Sequence, residues 1–114
     1  MGELYKDNQL YLRHILEAIE KVEEFIKSVD PKHFIQNVLL IDAVSFELAV
    51  IGEAAGHLSE ELREKYAHVP WGKIIGTRNE LIHGYFNRDL TIIWQTCQED
   101  LPELKKEVLE ILGE

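Results

Sequence analysis

Residues 34–56, FIQNVLLIDAVSFELAVIGEAAG, decide the fold. Apolar side chains recur through Phe34, Val38, Ile41, Leu48 and Ala55, with Ser45 and Gly52 on the same line and Ile35, Leu39 and Val44 widening it. Steps of three and four are the period of a helix, not of a strand. A helix apolar on several sides needs neighbours on several sides, so this segment is the central one. From Ala49 to Gly56 it is rich in small residues, which let another backbone come close at a cost in helix propensity for Gly52 and Gly56.

Flanking segments supply the neighbours. Upstream, Leu4, Tyr11, Ile15, Ile19, Val22 and Ile26 form a stripe at spacings of three, four or seven. It ends at Ser28-Val29-Asp30-Pro31, where Asp30 can cap and Pro31 can open the next helix. Downstream, Ser59-Glu60-Glu61-Leu62 resembles the start of a short helix that His68-Val69-Pro70 ends. A third long element begins near Trp71 and carries Ile74, Ile75, Leu81 and Ile82 before Gly84 weakens it. The last stripe is Leu90, Trp94, Cys97, Leu101, Leu104, Val108 and Ile111, with a fresh cap or a kink at Asp100-Leu101-Pro102-Glu103. The expected fold is all-α: an antiparallel four-helix bundle with one short additional helix.

With 114 residues, the chain fits a single domain spanning 1–114. A composition of 46% hydrophobic and 29% charged residues excludes a disordered chain. No apolar run is long enough to span a membrane, and Met1 to Asp7 lack the pattern of a secretory signal. Cys97 is a lone cysteine, which excludes an internal disulfide and a cysteine-based zinc site. A cytoplasmic location is expected.

The net charge of −9 speaks against a nucleic-acid partner, since phosphate binding needs a basic footprint. Its distribution speaks less strongly. Residues 1–66 carry a net −6 and residues 89–114 a net −5, whereas residues 67–88 are net +2, with Lys73, Arg78 and Arg88 against Glu80. The single electropositive segment is also the one rich in chemistry.

That segment reads Arg78-Asn79-Glu80-Leu81-Ile82-His83-Gly84-Tyr85. On a helix Asn79 and His83 share a face, while Arg78 and His83 lie about 140° apart and flank one surface. An Arg and a His suffice for RNA transesterification, because the 2′-hydroxyl of the substrate is the nucleophile. His83 can move a proton near neutrality. Arg78, permanently charged and forked, suits the negative charge that builds on phosphate oxygens. Asn79 can hold a base edge, a phosphate or the imidazole. A two-fold dimer would gather two such sets around one cleft. On spacing alone a plain alternative stands beside this one: a surface Arg, and a helix-terminating His facing the last carbonyls.

Arg, four residues, His, one residue, Tyr resembles the signature of the HepT-like branch of the HEPN superfamily. Ile51-Gly52-Glu53-Ala54-Ala55, Val69-Pro70-Trp71, Trp94 and Asp100-Leu101-Pro102 with Leu104 are similar to that family too, in order and in separation. The resemblance covers nearly the whole chain and is most specific from about Leu48 to Leu104. It implies a HEPN-like bundle that forms a homodimer, with Arg78 and His83 of both subunits lining a shared cleft. It implies a metal-independent endoribonuclease with no cofactor, the toxin of a type VII-like toxin–antitoxin module. The implied partner is a small nucleotidyltransferase antitoxin that silences the toxin by moving AMP from ATP to Tyr85. Bulky anionic phosphate beside Arg78 and His83 would occupy the place meant for RNA. A different class of reading is a non-catalytic HEPN module that binds nucleotide or the nucleotidyltransferase.

Other residues carry two readings each. Glu53, in a small and apolar stretch, either orients Arg78 or His83 or makes a structural ion pair across the bundle. Lys73 and Arg88 either contact the RNA backbone or are ordinary solvated charges. Trp71 and Trp94 read as core, Tyr5, Tyr11 and Tyr66 as packing or rim residues, and Cys97 as a small core residue. His14, His33, His57 and His68 lack metal-ligand spacing and read as surface or packing residues.

Overall fold

The computed structural model describes residues 2–83 and 89–114, with side chains for residues 7–81 and 89–114. Helix α1 (Gly2–Ile26) buries Ile15, Ile19 and Val22 of the first stripe, and Leu12 beside them. The chain leaves it through Ser28, whose φ of 66° is left-handed. Asp30 then accepts the His33 N–H (2.8 Å) and caps the one-turn helix α2 (Pro31–Phe34). That N–H, together with the His33 ring, holds the Asp30 carboxyl below the usual carboxylate range.

Helix α3 spans Val38–Gly56. The sequence stripe predicts one helix from Phe34 onward, and here the structure corrects it. Asn37 takes an extended backbone and its side chain accepts the Leu40 N–H (3.0 Å), so a new helix starts at Val38. Phe34, on the one-turn helix, is fully buried. Ser59 accepts the Leu62 N–H (3.1 Å) and caps α4 (Glu60–Lys65). Two short helices thus stand where one was expected.

Helix α5 (Trp71–His83) opens on Trp71, which is 6% exposed and donates its indole N–H to the Tyr66 carbonyl (3.0 Å). The last arm comprises α6 (Leu90–Gln95), a π turn (Thr96–Asp100) and α7 (Leu101–Leu112). At the expected cap or kink, Asp100 makes no side-chain cap. The Leu101 N–H instead reaches back to the Thr96 carbonyl, and Pro102 follows with no N–H to offer. The expected cap does not form; a π turn stands in its place.

Side-chain contacts fix the directions. Asn8, early in α1, bonds twice to Ser59, beyond the end of α3: Nδ2 donates to Oγ (3.0 Å) and Oδ1 accepts the N–H (2.9 Å). Lys105 meets Glu23 (2.8 Å) while Arg13 meets Glu114 (3.2 Å), so α7 runs opposite to α1. His68 reaches Glu107 (2.8 Å) and Lys73 reaches Asp100 (3.6 Å), so α5 opposes the last arm. The bundle is antiparallel, with α3 packed between α1 and α5 and α7 against α1. Its core joins all four arms through Ile15, Ile19, Val44, Ile51, Trp71, Ile93 and Val108. Among the described residues there is no strand, and no helix is long and apolar enough to cross a membrane.

Candidate functional site

The site begins with a missing side chain. A Cβ on Gly52 would lie 2.8 Å from the Cβ of Arg78 and 2.9 Å from the Ile74 carbonyl oxygen. Only glycine permits α5 to approach α3 this closely, which is what the small residues of 49–56 are for. The approach presses the root of Arg78 onto α3 and turns its guanidinium toward Glu53, the next residue along.

There the guanidinium is held on two sides. Arg78 Nε meets Glu53 Oε2 at 2.8 Å, and Arg78 Nη1 donates to Asn79 Oδ1 at 3.3 Å. The second Glu53 oxygen lies 3.2 Å from His57 Nε2, so one carboxylate bridges an arginine and a histidine. The His57 ring stacks on Tyr11 of α1, with centroids 4.8 Å apart and planes 14° from parallel. His14 stands edge-on to the same tyrosine at 5.9 Å. Around these groups opens a depression of about 680 Å³, lined by Tyr11, His14, Phe46, Glu53, His57 and Arg78. The Arg78 side chain remains 38% exposed there, open enough to meet a ligand and anchored enough to hold its direction.

The residues singled out from sequence fall into three groups. Arg78, Asn79 and Glu53 are together, and Glu53 turns to Arg78. Lys73 is not with them. It pairs with Asp100 and faces a second groove, between α5 and the last arm, lined also by His68, Thr77, Leu101 and Glu107. His83 is the last residue of α5, and its side chain lies outside those described, as do Tyr85 and Arg88 altogether.

Tyr11, His14 and His57, packing or surface residues by their sequence pattern, all line the Arg78 depression. A signal was available. Glu53 and His57 are spaced i and i+4, and Tyr11 and His14 i and i+3, the separations at which helical side chains meet. What sequence could not supply was the pairing of α1 with α3 that puts the two couples face to face.

The remaining features match their plain readings. Trp71 is core, and Trp94 packs on Phe34 with centroids 5.1 Å apart. His33 and His68 each sit on one carboxylate, at Asp30 and Glu107. Cys97 is 5% exposed, and burial pushes its thiol up to about 12.

The all-α bundle, with Arg78 and His83 on one helix, fits the fold that the HEPN resemblance of the sequence implies. Comparison with known proteins narrows this. The family model described as "Ribonuclease HepT-like" matches residues 15–111, and the chain belongs to that HepT-like ribonuclease family. "Putative RNase MJ1380" of Methanocaldococcus jannaschii is 42% identical over 103 residues, covering 90% of this chain and 94% of that protein. "Probable ribonuclease HepT" of Thermococcus cleftensis is 36% identical over 105 residues, covering 92% and 93%. A longer relative from M. jannaschii, "Gamma-glutamylcyclotransferase and putative RNase MJ0434", is 43% identical over 109 residues. The chain spans about half of that relative, 49% of its length. No solved structure matches the chain at a significant level.

Proposed function

We propose that this chain is a metal-independent endoribonuclease, the toxin of a type VII-like toxin–antitoxin module, which cleaves RNA at a composite site in a homodimer cleft. The observation that carries the reading is the Arg78 guanidinium, fixed by Glu53 at 2.8 Å and still exposed in an open depression. An arginine oriented in advance stabilises developing charge without reorganising during the reaction.

In the reaction, the 2′-hydroxyl of the substrate attacks the adjacent phosphorus and the bond to the 5′-oxygen of the next nucleotide breaks. A 2′,3′-cyclic phosphate and a free 5′-hydroxyl result. His83 accepts or returns the proton, and Arg78 holds the phosphate oxygens as their charge rises. Asn79 steadies the guanidinium.

The homodimer is supported by the outer side of α3. Leu39 is 84% exposed and Phe46 66%, and with Glu53 they follow at intervals of seven, which is one helical line. Exposed Ile35 and Val38 extend the patch. A second copy docked two-fold on this line would cover apolar surface and bring two Arg78 side chains to one cleft.

Control is proposed through a small nucleotidyltransferase. It would transfer AMP from ATP to the Tyr85 oxygen and release pyrophosphate, leaving an anionic phosphodiester two residues from His83. The low local charge of the motif segment, net +2 over residues 67–88, favours a second reading, a non-catalytic module that binds nucleotide or that same partner.

Total RNA incubated with purified protein in excess EDTA separates the two, once intact mass has established that Tyr85 is unmodified. Cleavage by the wild type, lost in His83→Ala and Arg78→Ala, is the expected result. Absence of cleavage by unmodified wild type overturns the ribonuclease reading and leaves the binding module.

A further inference from the structure

We infer that Tyr11 and His57 form a stacking subsite for one nucleobase of single-stranded RNA, next to the phosphate that Arg78 holds. This rests on the ribonuclease reading of the same site and adds to it the group that recognises the substrate.

The observations are geometric. Tyr11 and His57 make a nearly parallel stack, 4.8 Å between centroids and 14° between planes. One face of the His57 ring is covered by Tyr11, yet 52% of its side chain is exposed, so the outer face of the stack opens into the depression. His14 stands edge-on to Tyr11 in the same depression. Glu53 links the stack to the phosphate-binding group, His57 on one oxygen and Arg78 on the other. A cationic fork and an aromatic platform in one open depression match the two halves of a nucleotide, a phosphate and a flat base.

Single-stranded RNA is the form this surface fits. Its unstacked bases can lie on Tyr or His rings, whereas a duplex keeps them inside. Every base has a π face, so such a subsite binds without strong sequence preference. An otherwise acidic chain gains something specific from it: with few cations to hold the backbone, stacking supplies binding that does not depend on charge.

The test is a cycle between the base and the ring. The probe is a short oligoribonucleotide methylated on every 2′-oxygen but one, so that cleavage has a single register. Versions with an abasic residue on either side of that position are cleaved by wild type, Tyr11→Leu, Tyr11→Phe and His57→Ala, each checked for folding by circular dichroism. In the wild type, removing the base on one side is expected to lower kcat/KM about tenfold, ~1.4 kcal/mol at 25 °C. In Tyr11→Leu and His57→Ala the same removal should cost almost nothing further, while Tyr11→Phe keeps the wild-type response. If the variants cleave and base removal costs them as much as it costs the wild type, the subsite is wrong and the ribonuclease stands. If the unmodified wild type cleaves neither this probe nor total RNA, both fall together.

Discussion

Gly52 and Arg78 are locked in contact: a Cβ on the glycine would stand 2.8 Å from the Cβ of the arginine. The position of the cation therefore depends on a residue with no side chain. Gly52→Ala should force α3 and α5 apart. Overpacking costs about 1–3 kcal/mol, against less than about 1 kcal/mol gained in helix propensity. A net loss of stability with a displaced Arg78 is expected, read by denaturant unfolding and by RNA cleavage. Gly76, on the same α5, has open space where its Cβ would be. Gly76→Ala should stabilise by about 0.5–1 kcal/mol. A Gly52→Ala protein as stable and active as wild type would show that the approach can relax.

Glu53→Gln keeps the shape of the side chain and removes its charge. The Glu53 side chain is 54% exposed, so its ion pair contributes at most about 1 kcal/mol to stability and melting should barely move. Cleavage should fall roughly ten- to hundredfold as the guanidinium loses its direction. Unchanged kcat at unchanged stability would reduce Glu53 to a surface charge.

The outer line of α3 can be tested by charge. Leu39→Glu and Phe46→Glu alter residues that are 84% and 66% exposed, so each should keep the helical content of the fold. Sedimentation should give a dimer for the wild type and a monomer for the variants, with cleavage lost. A wild type that stays monomeric at high concentration ends the shared-cleft model.

Cys97 reports on the core. Burial holds its thiol neutral up to about 12, far above the ordinary cysteine value of about 8.5. A raised folded value adds stability that is complete below the unfolded value and is lost as pH rises through the folded one. Stability should therefore decline from about pH 9 toward 12. Iodoacetamide at pH 8 should label Cys97 only at the rate of unfolding, and rapid labelling of the folded protein would contradict its burial.

Much of this is legible in the sequence. The lines through Ile15, Ile19 and Val22, and through Ile41, Leu48 and Ala55, carried the helices and their buried faces, because period and core face are one signal. Glu53 stood out as an acid in a small, apolar stretch, and the structure turns it to Arg78. Asn37 was missed because its cap interrupts an apolar line that reads as continuous. Lys73 was grouped with Arg78 by charge and by nearness in sequence, yet five residues along a helix turn it to a different groove. Tyr11 and His57 belong to different helices, and nothing in a linear order says that they will stack.

The π turn at Thr96–Asp100 bears on how this chain tolerates changes of length. A ring closed from Leu101 back to Thr96 takes up one residue more than an α turn. The surplus is absorbed locally, and Ile93 ahead of it and Leu104 and Val108 behind it all still reach the core. A single residue lost from this turn would let the arm relax to an unbroken α-helix with both its inward faces kept. The same loss within α3 would swing everything beyond it by about 100°, and Glu53 would leave Arg78. The molecule thus holds its length rigidly where the arginine is positioned and has slack in the arm that only closes the bundle.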